Sequence, residues 1–206
     1  MIKVWGRANS VNVQKVVWAC VEAGLDFERT DAGGAFGLVD EPWYLELNPN
    51  GRIPVIDDDG FVLWESNVIV RYLASKSAGA ELCPQEREGR ALAEQWMEWE
   101  QTAIQPALTP VFWGLVRTAP EDRDWGAIES GRVAAVRLWG ILDAWLEERA
   151  YVAGEQFSMA DIPLGAGIHR WFALEVERPK MRHLEDWHQR LSARQGYRDH
   201  VALALS

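Results

Sequence analysis

Apolar and polar positions divide the chain into two stretches of different character. Ile2-Lys3-Val4-Trp5 alternates as a short strand, and Gly6-Arg7-Ala8-Asn9-Ser10 reads as a turn. From Asn12 onward, Val13, Val16, Val17, Cys20, Val21 and Leu25 recur at helical spacing, and Gly24 suits the helix end. Phe27–Thr30 is a second, weaker strand, and the glycine-rich stretch 31–37 is a loop. Arg52-Ile53-Pro54-Val55-Ile56 and Phe61-Val62-Leu63-Trp64 flank Asp57-Asp58-Asp59-Gly60, the pattern of a β-hairpin closed by an Asp-Gly turn. The stretch 66–76 is helical, with Val68, Ile69, Tyr72 and Leu73 on one face. The order β-α-β-loop-β-β-α predicts a small α/β unit with a mixed sheet.

Ser77-Ala78-Gly79-Ala80, followed by Pro84, reads as a linker between a unit at 1–78 and a unit at 86–206. Beyond it no strand pattern is convincing. The stretch 86–116 is a long helical pattern carrying Trp96, Trp99, Ile104 and Leu108; Pro106 and Pro110 are expected to kink or divide it. A second long helix, 128–146, carries Val133, Val136, Leu138, Leu142 and Leu146, and two more helices follow at 159–174 and 181–191. The second unit is therefore expected to be all-α. Most of the twelve tryptophans fall in it, where large rings fill helix–helix interfaces.

Composition narrows the functional classes. At 48% hydrophobic and 25% charged the chain is globular rather than disordered. A net charge of -10 with no basic stripe argues against nucleic acid as a partner, although an acidic chain can still hold a local basic pocket for a small anion. No apolar stretch approaches the ~20 residues that span a bilayer, and the first six residues lack the apolar core of a signal peptide. Cys20 and Cys83 form no CxxC motif, which disfavours disulfide, zinc-ribbon and dithiol chemistry and points to a cytoplasmic location. His169, His183, His188 and His200 have no metal-ligand spacing, so no metal is expected.

Three places carry candidate chemistry. Glu65-Ser66 lies where a strand gives way to a helix, and unpaired N–H groups and the helix dipole favour an anion there. Ser66 suits a ligand carboxylate and Glu65 a neighbouring ammonium, together the head group of an α-amino acid; alternatively Ser66 is a plain helix cap. Pro54 opens a strand. A cis Ile53-Pro54 bond would turn the Ile53 backbone outward to pair with an extended ligand, while trans is the commoner isomer. Asn9-Ser10-Val11-Asn12 precedes the first helix, where a hydroxyl could stabilise a thiolate; alternatively Ser10 or Asn12 caps the helix.

Taken together, these segments resemble the glutathione S-transferase family over nearly the whole chain. Asn48-Pro49-Asn50-Gly51-Arg52-Ile53-Pro54-Val55-Ile56 matches the family's N-P-x-G-x-[IV]-P-x-[LI] strand. The run from Leu63 through Glu65, Ser66 and Ile69 to Tyr72-Leu73 matches L-x-E-S-x-x-I-x-x-Y-L, and the run from Tyr151 through Gly154, Phe157 and Ser158 to Asp161-Ile162 matches Y-x-x-G-x-x-F-S-x-A-D-I. The resemblance implies an α/β thioredoxin-like N-terminal domain, an all-α helical C-terminal domain, and glutathione as the bound thiol. It implies that Ile53, before a cis Pro54, pairs with the cysteinyl unit and that Glu65 and Ser66 hold the γ-glutamyl head, with Arg52 assisting. The Ser158-x-x-Asp161 element is read as a capping box that starts a helix.

No tyrosine or cysteine follows the first strand, so the string from Gly6 to Val16 looks like that of bacterial serine-type, theta-like members. Ser10 is the expected donor to the glutathione sulfur, with Asn12 its rival. The expected activity is transfer of glutathione to a small, electrophilic, mostly apolar substrate held by Phe112, Trp113, Val116 and Trp171, each of which is otherwise a core residue. Arg7 and Lys15 are candidates to offset the ligand's negative charge, or are solvated surface. Glutathione-dependent dehalogenase or peroxidase activity, or non-catalytic glutathione binding, are the alternatives. The resemblance also implies a homodimer; an exposed apolar face on the helix from Glu86, or Trp64 or Tyr72 near the hairpin, would be consistent with it.

Overall fold

The computed structural model describes residues 1–77 and 82–206 of the chain. The expected linker, past Ser77, lies outside the described residues as far as residue 81. The first unit contains β1 (Ile2–Trp5), α1 (Val11–Glu22), β2 (Phe27–Thr30), α2 (Pro42–Leu47), β3 (Val55–Asp58), β4 (Phe61–Trp64) and α3 (Ser66–Ser75). Its sheet runs β2-β1-β3-β4, with β1 parallel to β2 and antiparallel to β3, and β3 antiparallel to β4. This is the expected mixed sheet, with α2 added. Asp59 and Gly60 both take positive φ, 51° and 93°, as a two-residue turn of right-handed twist requires. The Asp57 and Asp58 side of the expected turn belongs instead to β3, paired with Val62 and Phe61.

The second unit contains α4 (Arg87–Trp99), α5 (Gln105–Phe112), α6 (Trp125–Trp145), α7 (Asp161–Ala173), α8 (Arg182–Ser192) and α9 (Gln195–His200). Two π-helical segments, Glu100–Ile104 and Trp113–Arg117, join α4 to α5 and extend α5. The prolines therefore do not divide the run: Trp99, Ile104 and Phe112 all stay right-handed helical. Pro106 follows the first wide turn and Pro110 precedes the second, as expected where a proline lacks a donor and crowds the carbonyl four residues back. The helices bury a narrower stripe than the periodicity implied. Val133 on α6 and Val68 on α3 are 53% and 43% exposed. Gly131 allows α5 and α6 to touch, since a Cβ there would lie 2.7 Å from the Ala107 carbonyl oxygen.

Helix α1 is the keel between the units. It packs on α3 on one side and on α7 and α9 on the other. Nine of its residues are buried, including Gln14, Lys15 and Trp18, so it has no solvent face along most of its length. Trp18 lies against Tyr197 and Phe157, with ring centroids 5.2 and 5.5 Å away. A Cβ at Gly165 or Gly196 would meet the Trp18 ring at 2.8 or 2.7 Å, so both glycines make room for it. Burying an indole of this size is worth about 5 kcal/mol of transfer free energy.

The Ser158-x-x-Asp161 element does the structural work expected of it. Asp161 is fully buried and accepts from the Val152 and Ser158 N–H groups, the Ser158 hydroxyl and the Trp187 indole at 2.9–3.3 Å. Burial pushes its carboxyl up to about 6, against the pull of these four donors.

Candidate functional site

At the head of α1, Ser10 takes the position before the first helical residue, with extended backbone. Its carbonyl accepts from the Gln14 N–H at 2.9 Å, but its hydroxyl makes no capping bond. The side chain that local sequence reads equally well as a cap is thus left for another partner. It lines a cavity of about 260 Å³ with Arg7, Asn12, Gly33, Gly34, Val39, Gly51, Arg52 and Ile53. Asn12 lies half-buried beside it. Gly33, Gly34, Gly51 and Val39 are contributions that periodicity did not single out; the glycines at 33 and 34 let Arg7 approach the backbone, since a Cβ at Gly33 would lie 3.3 Å from its guanidinium.

The opposite wall is held from below. The Tyr44 hydroxyl and the Asn48 amide both donate to the Arg52 carbonyl at 2.9 Å. The following Ile53-Pro54 bond is cis. Ile53 has neither N–H nor C=O in a backbone hydrogen bond among the described residues. An extended ligand could take both. Val55 pairs with Trp64 across the hairpin, so Pro54 and Glu65 are the residues that follow the last pair on the two strands. Glu65 holds φ 73° and ψ 108°, a region L residues avoid, and is exposed. Ser66 is buried and is the first residue of α3, not its cap; Glu65 holds the cap position and no side chain there bonds to the helix. The Ser66 hydroxyl therefore stands at a helix N-terminus whose N–H groups face outward.

The four residues expected around the second substrate separate. Phe112 and Trp113 line a narrow cleft of about 20 Å³ with Val11, Gln105, Leu108, Thr109, Gly167 and Arg170. Phe112 is buried and Trp113 is 52% exposed. Val116 packs instead with Val111, Ile128 and Leu174. Trp171 is in the main core, 1% exposed, because it lies on the inner face of α7. The structure adds two arginines that the sequence did not single out. Arg170 lies over the Phe112 ring at 4.0 Å and donates to the Asn9 carbonyl at 3.3 Å. Arg117 stands 4.8 Å from the Trp113 ring centroid and donates to the Ser206 main-chain oxygen at 3.2 Å.

Lys15 neither faces the ligand nor lies on the surface. Its ammonium is 2.8 Å from Glu100 and 3.5 Å from the Asn67 amide oxygen, with both charged side chains at most 2% exposed. It ties α1 to the π segment of the helical unit. Cys20 is buried, and burial pushes its thiol up to about 12, so it is no nucleophile. Among the described residues no group of three or more His, Cys, Asp or Glu could hold a metal. Larger grooves exist elsewhere, one of about 530 Å³ bordered by Phe172, Arg178 and His188. Size does not choose between them; the unspent Ser10 hydroxyl and unpaired Ile53 backbone do.

Comparison with known proteins agrees with this geometry. The glutathione S-transferase N-terminal domain matches residues 1–75 and the glutathione S-transferase C-terminal domain matches residues 104–195. Glutathione S-transferase GstB of Escherichia coli is 36% identical over 208 residues, covering all of both chains. Glutathione S-transferase 3 of Zea mays is 33% identical, covering 98% of this chain and 93% of the other. Among solved structures, the glutathione-bound theta class glutathione S-transferase of Xanthomonas axonopodis pv. citri superposes with a TM-score of 0.96 at 43% identity, covering 100% of this chain and 99% of that one. With both domains matched in order and relatives aligned from end to end, the chain belongs to the glutathione S-transferase family.

Proposed function

We propose that the protein is a serine-type glutathione transferase acting on small electrophiles. The observation that carries this reading is the Ser10 hydroxyl, buried at the head of α1 and unused as a cap, in one cavity with Ile53 and Arg52. The unit at 1–78 binds glutathione. Ile53 offers its N–H and C=O to the cysteinyl unit, while Ser66 and the first N–H groups of α3 receive the γ-glutamyl carboxylate and Glu65 its ammonium. Ser10 donates a hydrogen bond to the sulfur. That bond favours thiolate over thiol, and the thiol proton leaves to solvent. The thiolate attacks an electrophilic carbon held beside the Phe112-Trp113 cleft of the unit at 86–206. Ser10 is a stabiliser, not a base, and holding both reactants together supplies much of the remaining acceleration.

The reading includes a homodimer in the cytoplasm. Phe61, Trp64 and Val68 leave an apolar patch beside Tyr72 at the hairpin and α3, the kind of surface a second subunit covers. The test is ultraviolet titration of the thiolate of bound glutathione. Wild type is expected to lower the thiol pKa below its free value of roughly 8.5, and Ser10→Ala to restore it while binding persists. An unshifted pKa in wild type overturns the catalytic reading and leaves a binding protein; a larger effect of Asn12→Ala transfers the role to Asn12.

A further inference from the structure

We infer that the second substrate carries an anionic group, a carboxylate or an equivalent oxyanion, received by Arg170 and Arg117 beside the sulfur site. This rests on the transferase reading and names the substrate class of that same site. The inference starts from an anomaly of charge. The protein as a whole is strongly acidic, yet three arginines, Arg7, Arg117 and Arg170, gather around the head of α1. None of them pairs with an Asp or Glu among the described residues; Arg123, Arg149, Arg178, Arg190 and Arg198 also bond main-chain oxygens, but these three are set apart by lying together at one helix head. The partners they do have are main-chain oxygens: Asn9 for Arg170 and Ser206 for Arg117. Glu100, the carboxylate whose field reaches Arg170, is already taken by Lys15 at 2.8 Å.

Their mutual repulsion and burial leave a mark. The Arg170 guanidinium is pushed down to about 10, first by burial, then by Arg117 and Arg7; Arg117 is lowered by burial and by Arg7. Positive groups held close together with no Asp or Glu paired to them form a site that gains when an anion arrives. The geometry also puts the anion next to the chemistry. Arg170 bonds to the carbonyl of Asn9 and shares the cleft with Val11, so it flanks Ser10 by one residue on each side. The Phe112 and Trp113 rings beneath the two guanidinium groups take the apolar body. The cleft of about 20 Å³ does not admit a ring, so a compact electrophile rests its body on the exposed Trp113 and turns one acidic end to the arginines; a wholly apolar one offers them no anion. Arg7 lies on the glutathione side of the group, next to Gly33 and Gly34.

The test compares 4-chloro-3-nitrobenzoate with 4-chloro-3-nitrobenzamide. In both, the glutathione thiolate forms a C–S bond at the ring carbon, the C–Cl bond breaks, and chloride leaves with the bonding pair. The free thiolate reacts with each in a background assay, which corrects for intrinsic reactivity. Wild type is expected to favour the benzoate in kcat/KM by tenfold or more after this correction. Arg170→Met and Arg117→Met should each pull that ratio toward one, chiefly through KM for the benzoate, while KM for glutathione changes little; Arg170→Lys should recover part of the ratio. A wild type that favours the amide, or a ratio unmoved in both methionine variants, overturns the inference and leaves the transferase reading standing. A rise in KM for glutathione equal to that for the benzoate assigns the arginines to glutathione and also overturns it. If wild type accelerates neither substrate and does not shift the thiol pKa, the transferase reading itself falls.

Discussion

Replacing Lys15 by methionine should unfold the protein at a markedly lower denaturant concentration. In the native structure the Lys15 ammonium and the Glu100 carboxylate are 2.8 Å apart, and neither side chain is more than 2% exposed. Only one Glu100 oxygen is engaged; Oε1 has no partner among the described residues. Lys15→Met keeps the bulk of the side chain but leaves a buried carboxylate with neither oxygen paired. Breaking a buried pair from one side in this way costs about 3–5 kcal/mol. With a urea dependence of about 3 kcal/mol/M for a chain of this size, the midpoint should fall by roughly 1–1.7 M. The assay is urea unfolding followed by tryptophan fluorescence at fixed protein concentration, since the stability of the proposed homodimer would depend on it. The double variant Lys15→Met, Glu100→Leu removes both charges and should recover to within about 1 kcal/mol of wild type. A single-variant shift below roughly 0.3 M would falsify the argument, because it would mean that water reaches the pair. A double variant as unstable as the single would place the energy in Asn67, which donates to the Met97 carbonyl at 2.9 Å, rather than in the ion pair.

Two further outcomes follow from the same geometry. Ser66→Ala should weaken glutathione binding, read by isothermal calorimetry, by about 1.5–3 kcal/mol, with little change in thermal stability, because Ser66 makes no cap bond that α3 would lose; unchanged affinity would remove it from the site. His188 is held neutral, its pKa pushed down to about 4 by burial and by His169 nearby, while its ring contacts the Tyr197 hydroxyl at 2.8 Å. A folded-state pKa below the unfolded one means that the unfolded chain binds more protons, so stability present above pH ~6.5 is lost as pH falls toward 4. After discounting for its partial exposure the loss is about 2 kcal/mol, and His188→Gln should flatten that part of the stability–pH curve; an identical acid limb in the variant would refute it.

Local pattern shows through wherever one residue type decides a local shape. The alternation in β1, the Asp-Gly corner of the hairpin and the proline-preceded strand are written in a few adjacent positions. Helix α2 was not legible, because its six residues complete fewer than two turns and bury only Tyr44. Periodicity gave α1 one apolar stripe, but the helix is covered on two sides, so Trp18 and Lys15 are buried where a single-stripe reading leaves them out. Lys15 is the clearest case: its partner is 85 residues away, and nothing beside it in the chain distinguishes it from a solvated lysine. From its neighbours alone Ser10 reads equally well as a cap and Ser66 more readily as one, and only the placement of their hydroxyls separates the two roles. Arg117 and Arg170 come from two different helical segments and meet only when the bundle closes over the head of α1.

The seat of Trp18 bears on how such proteins can be recombined. Its indole belongs to the first unit, but the hollow that receives it is made by missing side chains at Gly165 and Gly196, far downstream in the second. The two halves thus behave as lock and key despite being separable on paper. A chimaera that grafts residues 1–77 onto the helical part of a relative with alanine at either glycine would drive the ring outward and tilt α1. Ser10, at the far end of that helix, would be carried off its place although every residue around it was conserved. Shuffling between relatives is therefore constrained by two small residues that never touch a ligand.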